Sequence, residues 1–225
     1  RLFAIILALK NRFTLSGLVL AASSITNPII GIVGAFFILS TFYLKPSHLL
    51  TKSVLYGALL FIVITSVWIK INYAPENFSG NIIPNEIWFD LARFSSVHWF
   101  PLDIGIFSTL HYERFVQFIG FLLLLVYYMS RKNNIEEIDR RVIAGFVGML
   151  FLTITGIVIS AFNVSPALVK LCLIRGDELI IAVGLIYIVD GLYKDLVAFN
   201  PWRSITSALL IVLPFIISPG FPILL

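Results

Sequence analysis

The chain is a succession of apolar runs with almost nothing between them. Eight are legible, at about 2–9, 13–26, 29–44, 54–71, 115–129, 142–160, 171–192 and 204–218. A helix needs about 20 apolar residues to cross the hydrocarbon core. The sixth and seventh runs approach or exceed that length, and the others are shorter. Of the 225 residues 59% are hydrophobic and 12% charged, about half the charge a soluble domain carries. Too few ionised groups are present to cover a water-soluble globule of this size. The expected fold class is therefore all-α: a polytopic transmembrane helix bundle of about seven spans, some short or broken, with an outer loop carrying interfacial helices.

Residues 1–225 read as a single transmembrane helical domain. The sequence opens at Arg1 without Met, and 2–9 reads as the second half of a helix, as expected for the C-terminal part of a longer chain. This run has a basic end but no small-residue cleavage site, which argues against a signal peptide. Thr26-Asn27-Pro28 is a turn signal, because proline lacks a donor and Asn supplies a local bond. Residues 13–44 are thus expected to form a tight hairpin of two short helices. Gly17, Ala21, Gly31 and Gly34 are small enough to let their backbones approach.

Lysine and arginine set the orientation. The most polar stretch, 130–141, contains Glu136/Arg140 and Glu137/Arg141 at helical i, i+4 spacing and is expected to be a short solvated helical loop. With this loop cytoplasmic and the spans alternating, ten basic residues (Lys10, Arg12, Lys45, Lys52, Arg131, Lys132, Arg140, Arg141, Lys194, Arg203) lie inside. Five lie outside: Lys70, Arg93, Arg114, Lys170 and Arg175. That bias is the expected one for cytoplasmic loops, provided 13–26 and 29–44 count as two passes. The segment 72–114 is then an outer loop, and the expected location is the inner (plasma) membrane of a bacterium.

Much chemistry is excluded. Cys172 is the only cysteine, so no intramolecular disulfide or multi-Cys metal site forms. Its simplest role is a buried small hydrophobe. His48, His98 and His111 are widely spaced, which disfavours zinc. No basic stripe with interleaved aromatics suggests nucleic acid. No phosphate-binding glycine loop, paired-His zinc helix or nucleophile elbow is found.

The remaining chemistry collects in 72–114. Asp90, Asp103 and Glu113 are the candidate catalytic carboxylates. Arg93, His98, Trp99, His111 and Arg114 are candidate contacts for a phosphate or substrate, since arginine offers a planar fork of donors and histidine exchanges protons near neutrality. If WFDLARF is helical, Asp90 and Arg93 share a face and pair. The alternative is structural: an interfacial helix with Trp88 and Trp99 in the aromatic belt, and His111 to Arg114 anchoring the helix start. Arg175 and Glu178 join the candidates. Charges within a spanning run are costly unless they face a wet cavity or each other, and this i, i+3 pair can neutralise itself. Asp190 and Lys194 are expected to pair locally. Asn77-Phe78-Ser79 and Asn163-Val164-Ser165 match the glycosylation triplet.

The helix end, the basic residues Lys10 and Arg12, the glycine-bearing FTLSGLVLAASSI and the following Asn-Pro and apolar span resemble the middle helices of GT-C-type polytopic glycosyltransferases. They are similar also to uncharacterised bacterial multi-spanning proteins of that plan, with Arg93 and His98-Trp99-Phe100-Pro101 as the outer-loop element and Leu171-Cys172-Leu173-Ile174-Arg175 as an Arg-bearing helix end. The resemblance covers about two-thirds of the chain. It implies an enzyme, or a non-catalytic relative, that takes sugar from a polyprenyl-phosphate donor in an outer-face pocket, with Arg93, His98 and Arg175 as contacts. The family's acidic residue in the first outer loop would precede Arg1 and is not carried over. No cofactor is identified, and a divalent cation stays open. The partners expected are the lipid bilayer and a polyprenyl-phosphate-linked sugar. Two other classes stand beside this reading: a transporter or flippase for an anionic or amphipathic solute, and a membrane scaffold whose outer loop binds a partner.

Overall fold

The computed structural model describes residues 1–72, 84–95, 100, 108–132, 134–197, 202–203 and 205–206, with the side chains of 72 and 108–117 excepted. The described residues are all-α, with no strand. The helices are α1 (Leu2–Leu9), α2 (Phe13–Thr26), α3 (Pro28–Ser40), α4 (Lys52–Asn72), α5 (Asn85–Ser95), α6 (Ser108–Ser130), α7 (Glu137–Ala161), α8 (Pro166–Lys170) and α9 (Gly176–Val197). Their boundaries have local causes. Asn27 caps α3, its Oδ1 accepting from the Ile29 amide at 3.0 Å, and Pro28 occupies the first helical position, where no donor is needed. Asn11, at φ 59°, makes the left-handed turn between α1 and α2, a conformation Asn tolerates. Glu136 and Asp139 form a reciprocal capping box at the start of α7.

The described contacts group into two units, 1–118 with 134–181, and 119–133 with 182–225. In the first, α1 and α2 are antiparallel, with Ser16 Oγ donating to the Ala4 carbonyl at 2.8 Å. The expected hairpin of α2 and α3 forms: Phe13 at its start and Phe42 just past its end bring their rings to 5.1 Å. Helices α2 and α4 run parallel at close approach. Thr14 Oγ1 lies 3.2 Å from Ser53 Oγ, and a Cβ on Gly17 would overlap the Gly57 backbone. Phe37 of α3 fills the space over Gly145 and meets Phe146 edge-on. Ile5, Val33, Phe37, Met149, Leu179 and Ile180 form the buried centre.

This packing gathers the basic turns at one end of the unit. Arg141 of α7 donates from Nη1 to the Leu9 carbonyl (3.1 Å) and Asn11 Oδ1 (3.0 Å), and from Nη2 to the Ala8 carbonyl (3.1 Å). It thereby satisfies the Leu9 carbonyl at the C-terminus of α1 and gives the Ala8 carbonyl a second donor beside the Asn11 amide. Lys45 joins the same end through Glu137. Lys10, Arg12, Lys45, Lys52, Arg140 and Arg141 thus share one end, as two passes through 13–44 require.

Two of the described helices are long and apolar enough to cross a membrane, Lys52–Ile71 and Glu137–Ala161. Phe13–Thr26, Pro28–Leu44 and Phe118–Ser130 are shorter apolar segments. Val147, Phe151, Ile154 and Val158 follow one another at helical spacing on α7 and stay exposed, while Val142, Phe146, Met149 and Leu152 are buried. An uncovered apolar stripe opposite a packed face suits lipid rather than water.

Three local expectations change. Residues 137–141 are the first turn of α7 rather than a separate loop helix, because the capping box starts the helix at Glu137. Glu137 pairs with Lys45 instead of Arg141. Helix α6 begins at Ser108, seven residues before the apolar run, so His111 to Arg114 lie on its first turns. Little of the run at 204–218 is described.

In the second unit the later part of α6 and α9 run parallel. Leu125 lies over Gly184, Tyr128 over Gly191, and Arg131 meets Asp195 beyond them. Arg131 donates two 2.8 Å hydrogen bonds to the Asp195 carboxylate and one of 2.9 Å to the Tyr127 hydroxyl. The Asp195 bonds hold the Arg131 guanidinium above its ordinary pKa. Lys194 pairs with Asp190 at 2.6 Å, as expected from their spacing.

Candidate functional site

At the end of the first unit remote from the basic turns, α5 lies against the end of α7 and α8. Its sequence NEIWFDLARFS places Phe89 and Ala92 on one face, where they pack with Phe100 and Val169 and against Trp88 and Ile159. Phe89 and Phe100 meet edge-on with centroids 6.5 Å apart. Ile87, Leu91 and Phe94 are exposed on the opposite side, and Glu86, Asp90 and Arg93 form a polar flank between the two. Asp90 and Arg93 pair as the helical spacing requires, but loosely, with Oδ1 to Nη1 at 3.6 Å and the Asp90 side chain 82% exposed.

Arg93 is positioned by more than Asp90. Its Nη2 donates to Asn163 Oδ1 at 2.7 Å, and its guanidinium carbon lies 5.1 Å from the centre of the Phe100 ring. Asn163, just past α7, is itself left-handed at φ 51°. Lys170 stands over the Trp88 ring at 5.2 Å. The result is a half-buried arginine fork braced on an aromatic face, beside an exposed carboxylate. Asn163 was legible only as part of a glycosylation triplet. Its role as an arginine anchor carried no signal in the sequence, because the partners lie 70 positions apart.

Arg175 and Glu178 occupy a different place from the one expected. The apolar run 171–192 is not one helix. Cys172 is buried and left-handed at φ 48°, Leu173–Arg175 form a short 3-10 turn, and α9 starts only at Gly176. The connection folds back along α7. Thr153 Oγ1 lies 3.4 Å from the Ile174 carbonyl, and a Cβ on Gly176 would stand 2.8 Å from the Met149 carbonyl oxygen. Met149 is midway along α7, so α9 begins beside the middle of that helix rather than at its end. Arg175 is in the turn and Glu178 in the first turn of α9. They pair at 3.7 Å, and Glu178 also accepts from Arg1 at 2.9 Å.

The structure therefore does not put Arg93 and Arg175 at one level. The Ile174 backbone abuts Gly156, whereas Asn163 holds Arg93 seven residues further along, about 10 Å of helical rise. His98, Trp99 and Asp103 lie outside the described residues, as does Asn77-Phe78-Ser79. His111, Glu113 and Arg114 are on α6, but their side chains also lie outside the description. Among the described residues no three of His, Cys, Asp and Glu converge as a metal set.

No protein-family model, no curated protein and no solved structure matches the chain.

Proposed function

We propose that the chain is a multi-pass membrane protein of GT-C-like plan that binds a polyprenyl-phosphate-linked sugar at the α5 end of its first unit. About seven passes are read from its apolar runs, with the basic turns in the cytoplasm and α5 on the outer face. The observation that carries this reading is Arg93, a guanidinium braced by Asn163 and Phe100 with a carboxylate at 3.6 Å. An arginine fork matches phosphate oxygens bidentately, so a phosphate arriving here exchanges with the loosely held Asp90 carboxylate. Asp90, at 82% exposure, is then the described carboxylate best placed to receive a proton from an acceptor hydroxyl. In the full-length protein Arg93→Ala is expected to abolish sugar transfer while membrane insertion persists. Undiminished turnover by Arg93→Ala retires the proposal.

The helix break favours a second reading, a transporter of an anionic or amphipathic solute. Interrupted spans that place a helix N-terminus near the midplane are a common way of building a solute site, and α9 begins beside Met149 with Arg175 next to it. Solute flux in proteoliposomes without any sugar-lipid donor would put this reading first.

A further inference from the structure

Between the turns at 41–48 and the start of α7 lies a cleft of about 470 Å³, at the opposite end of the first unit from α5. Its lining includes Phe42, Leu44, Lys45, His48, Arg140 and Arg141. Glu137 also lines it, and is engaged by Lys45 at 2.6 Å. Three permanent cations and an imidazole thus face one carboxylate. Arg141 is the most telling of them. It is only 9% exposed, yet its hydrogen-bond acceptors are the carbonyls of Ala8 and Leu9 and the amide oxygen of Asn11, with the Phe13 ring 5.8 Å from its guanidinium carbon. These orient the guanidinium without neutralising it. Among the described residues the side chains of Arg140 and His48 have no hydrogen-bond partner.

We infer that this cleft binds a phosphate group, and that the phosphate is the headgroup of an anionic membrane lipid. A buried, carbonyl-held cation beside two uncommitted donors is completed by an anion, and arginine forks match phosphate oxygens. The apolar members of the lining distinguish a lipid from a soluble phosphate. Phe42 and Leu44 line it, and the neighbouring turns expose Tyr43 (85%) and Leu50 (78%). The cleft also sits where α7 passes from its charged first turn to its apolar stripe, the level at which lipid phosphates lie. Basic pockets between helices at the cytoplasmic surface recognise headgroups in this way. The inference is independent of the sugar-transfer reading, which concerns the other end of the unit.

The test uses the full-length protein in neutral detergent, with retained lipid read by native mass spectrometry after exposure to phosphatidylglycerol or phosphatidylcholine. A parallel arm measures the shift in Tm with inorganic pyrophosphate. The wild type is expected to retain phosphatidylglycerol about tenfold more than phosphatidylcholine, equivalent to one or two surface cations. Arg140→Gln combined with His48→Gln is expected to erase that preference with the lipid-free Tm unchanged, since neither side chain holds the fold. Arg141→Gln is a poorer probe because Arg141 also caps α1. Equal retention of the two lipids by the wild type, or an undiminished preference in the double variant, overturns the inference. Stabilisation by pyrophosphate without lipid retention overturns the lipid assignment and leaves a soluble phosphate in its place.

Discussion

Lys45 Nζ donates a 2.6 Å hydrogen bond to Glu137 Oε1, joining the turns after α3 to the first turn of α7 across 92 positions of sequence. Both side chains are more than half exposed, so the pair adds little to stability. Its significance is topological. Together with Arg141 on the end of α1, it brings three separate basic turns to one end.

If that end is cytoplasmic, cysteines introduced at Lys10 and Lys52 label only from the cytoplasmic side. A cysteine at Phe162, which is 77% exposed beyond the other end of α7, labels only from outside. Impermeant maleimide applied to right-side-out and inverted vesicles reads this directly. Labelling of Lys10→Cys and Lys52→Cys from opposite sides would break the parallel arrangement of α2 and α4.

The Gly17–Gly57 crossing holds α2 against α4 with backbone nearly touching backbone. Gly17→Leu should cost about 3 kcal/mol, since the intruding atoms meet a peptide group that cannot move aside. Gly120→Leu is the control, because a Cβ there meets nothing within 4 Å. Unfolding in mixed micelles should separate the two variants clearly.

Arg131 and Asp195 tie α6 to α9 through a fork with two 2.8 Å bonds, with Asp195 only 9% exposed. A double-mutant cycle with Arg131→Gln and Asp195→Asn should give a coupling of about 1 kcal/mol or more. The Arg131 pKa is raised on folding. Its contribution is therefore fully present below the ordinary guanidinium value and is lost only above the folded one. Stability measured between pH 7 and pH 10 should show no loss from this pair. A decline in that window that vanishes in Arg131→Gln would contradict the assignment.

Cys172 places a side chain at φ 48°, where the chain reverses toward α9. Cys172→Val should destabilise the protein by about 1–2 kcal/mol, because a β-branched residue resists the left-handed conformation. The buried thiol should react slowly with maleimide in the folded protein and rapidly after denaturation. Equal rates in both states would place the 171–175 turn at the surface.

The hairpin at Asn27-Pro28, the i, i+3 pair of Asp90 and Arg93 and the i, i+4 pair of Asp190 and Lys194 were all legible because each depends on neighbours within one or two helical turns. The same local logic failed for Glu137 and Arg141. Their spacing permits a pair, but Lys45 and the carbonyls at the end of α1 offered each another partner. It failed again at 171–192, where uninterrupted apolarity hid a left-handed Cys172 and a 3-10 turn, and so misplaced Arg175 and Glu178 along the helix.

Composition and the positions of the apolar runs were enough to point to helices and to lipid, since a chain with 59% hydrophobic and 12% charged residues carries few groups for water to hold. Periodicity and capping residues determined where most of the helices stop. Which basic turns share an end, which residue braces Arg93 and how deep α9 begins were decided only by packing. Those relationships join residues dozens of positions apart, and nothing in the local chemistry of a helix records what another helix will press against it.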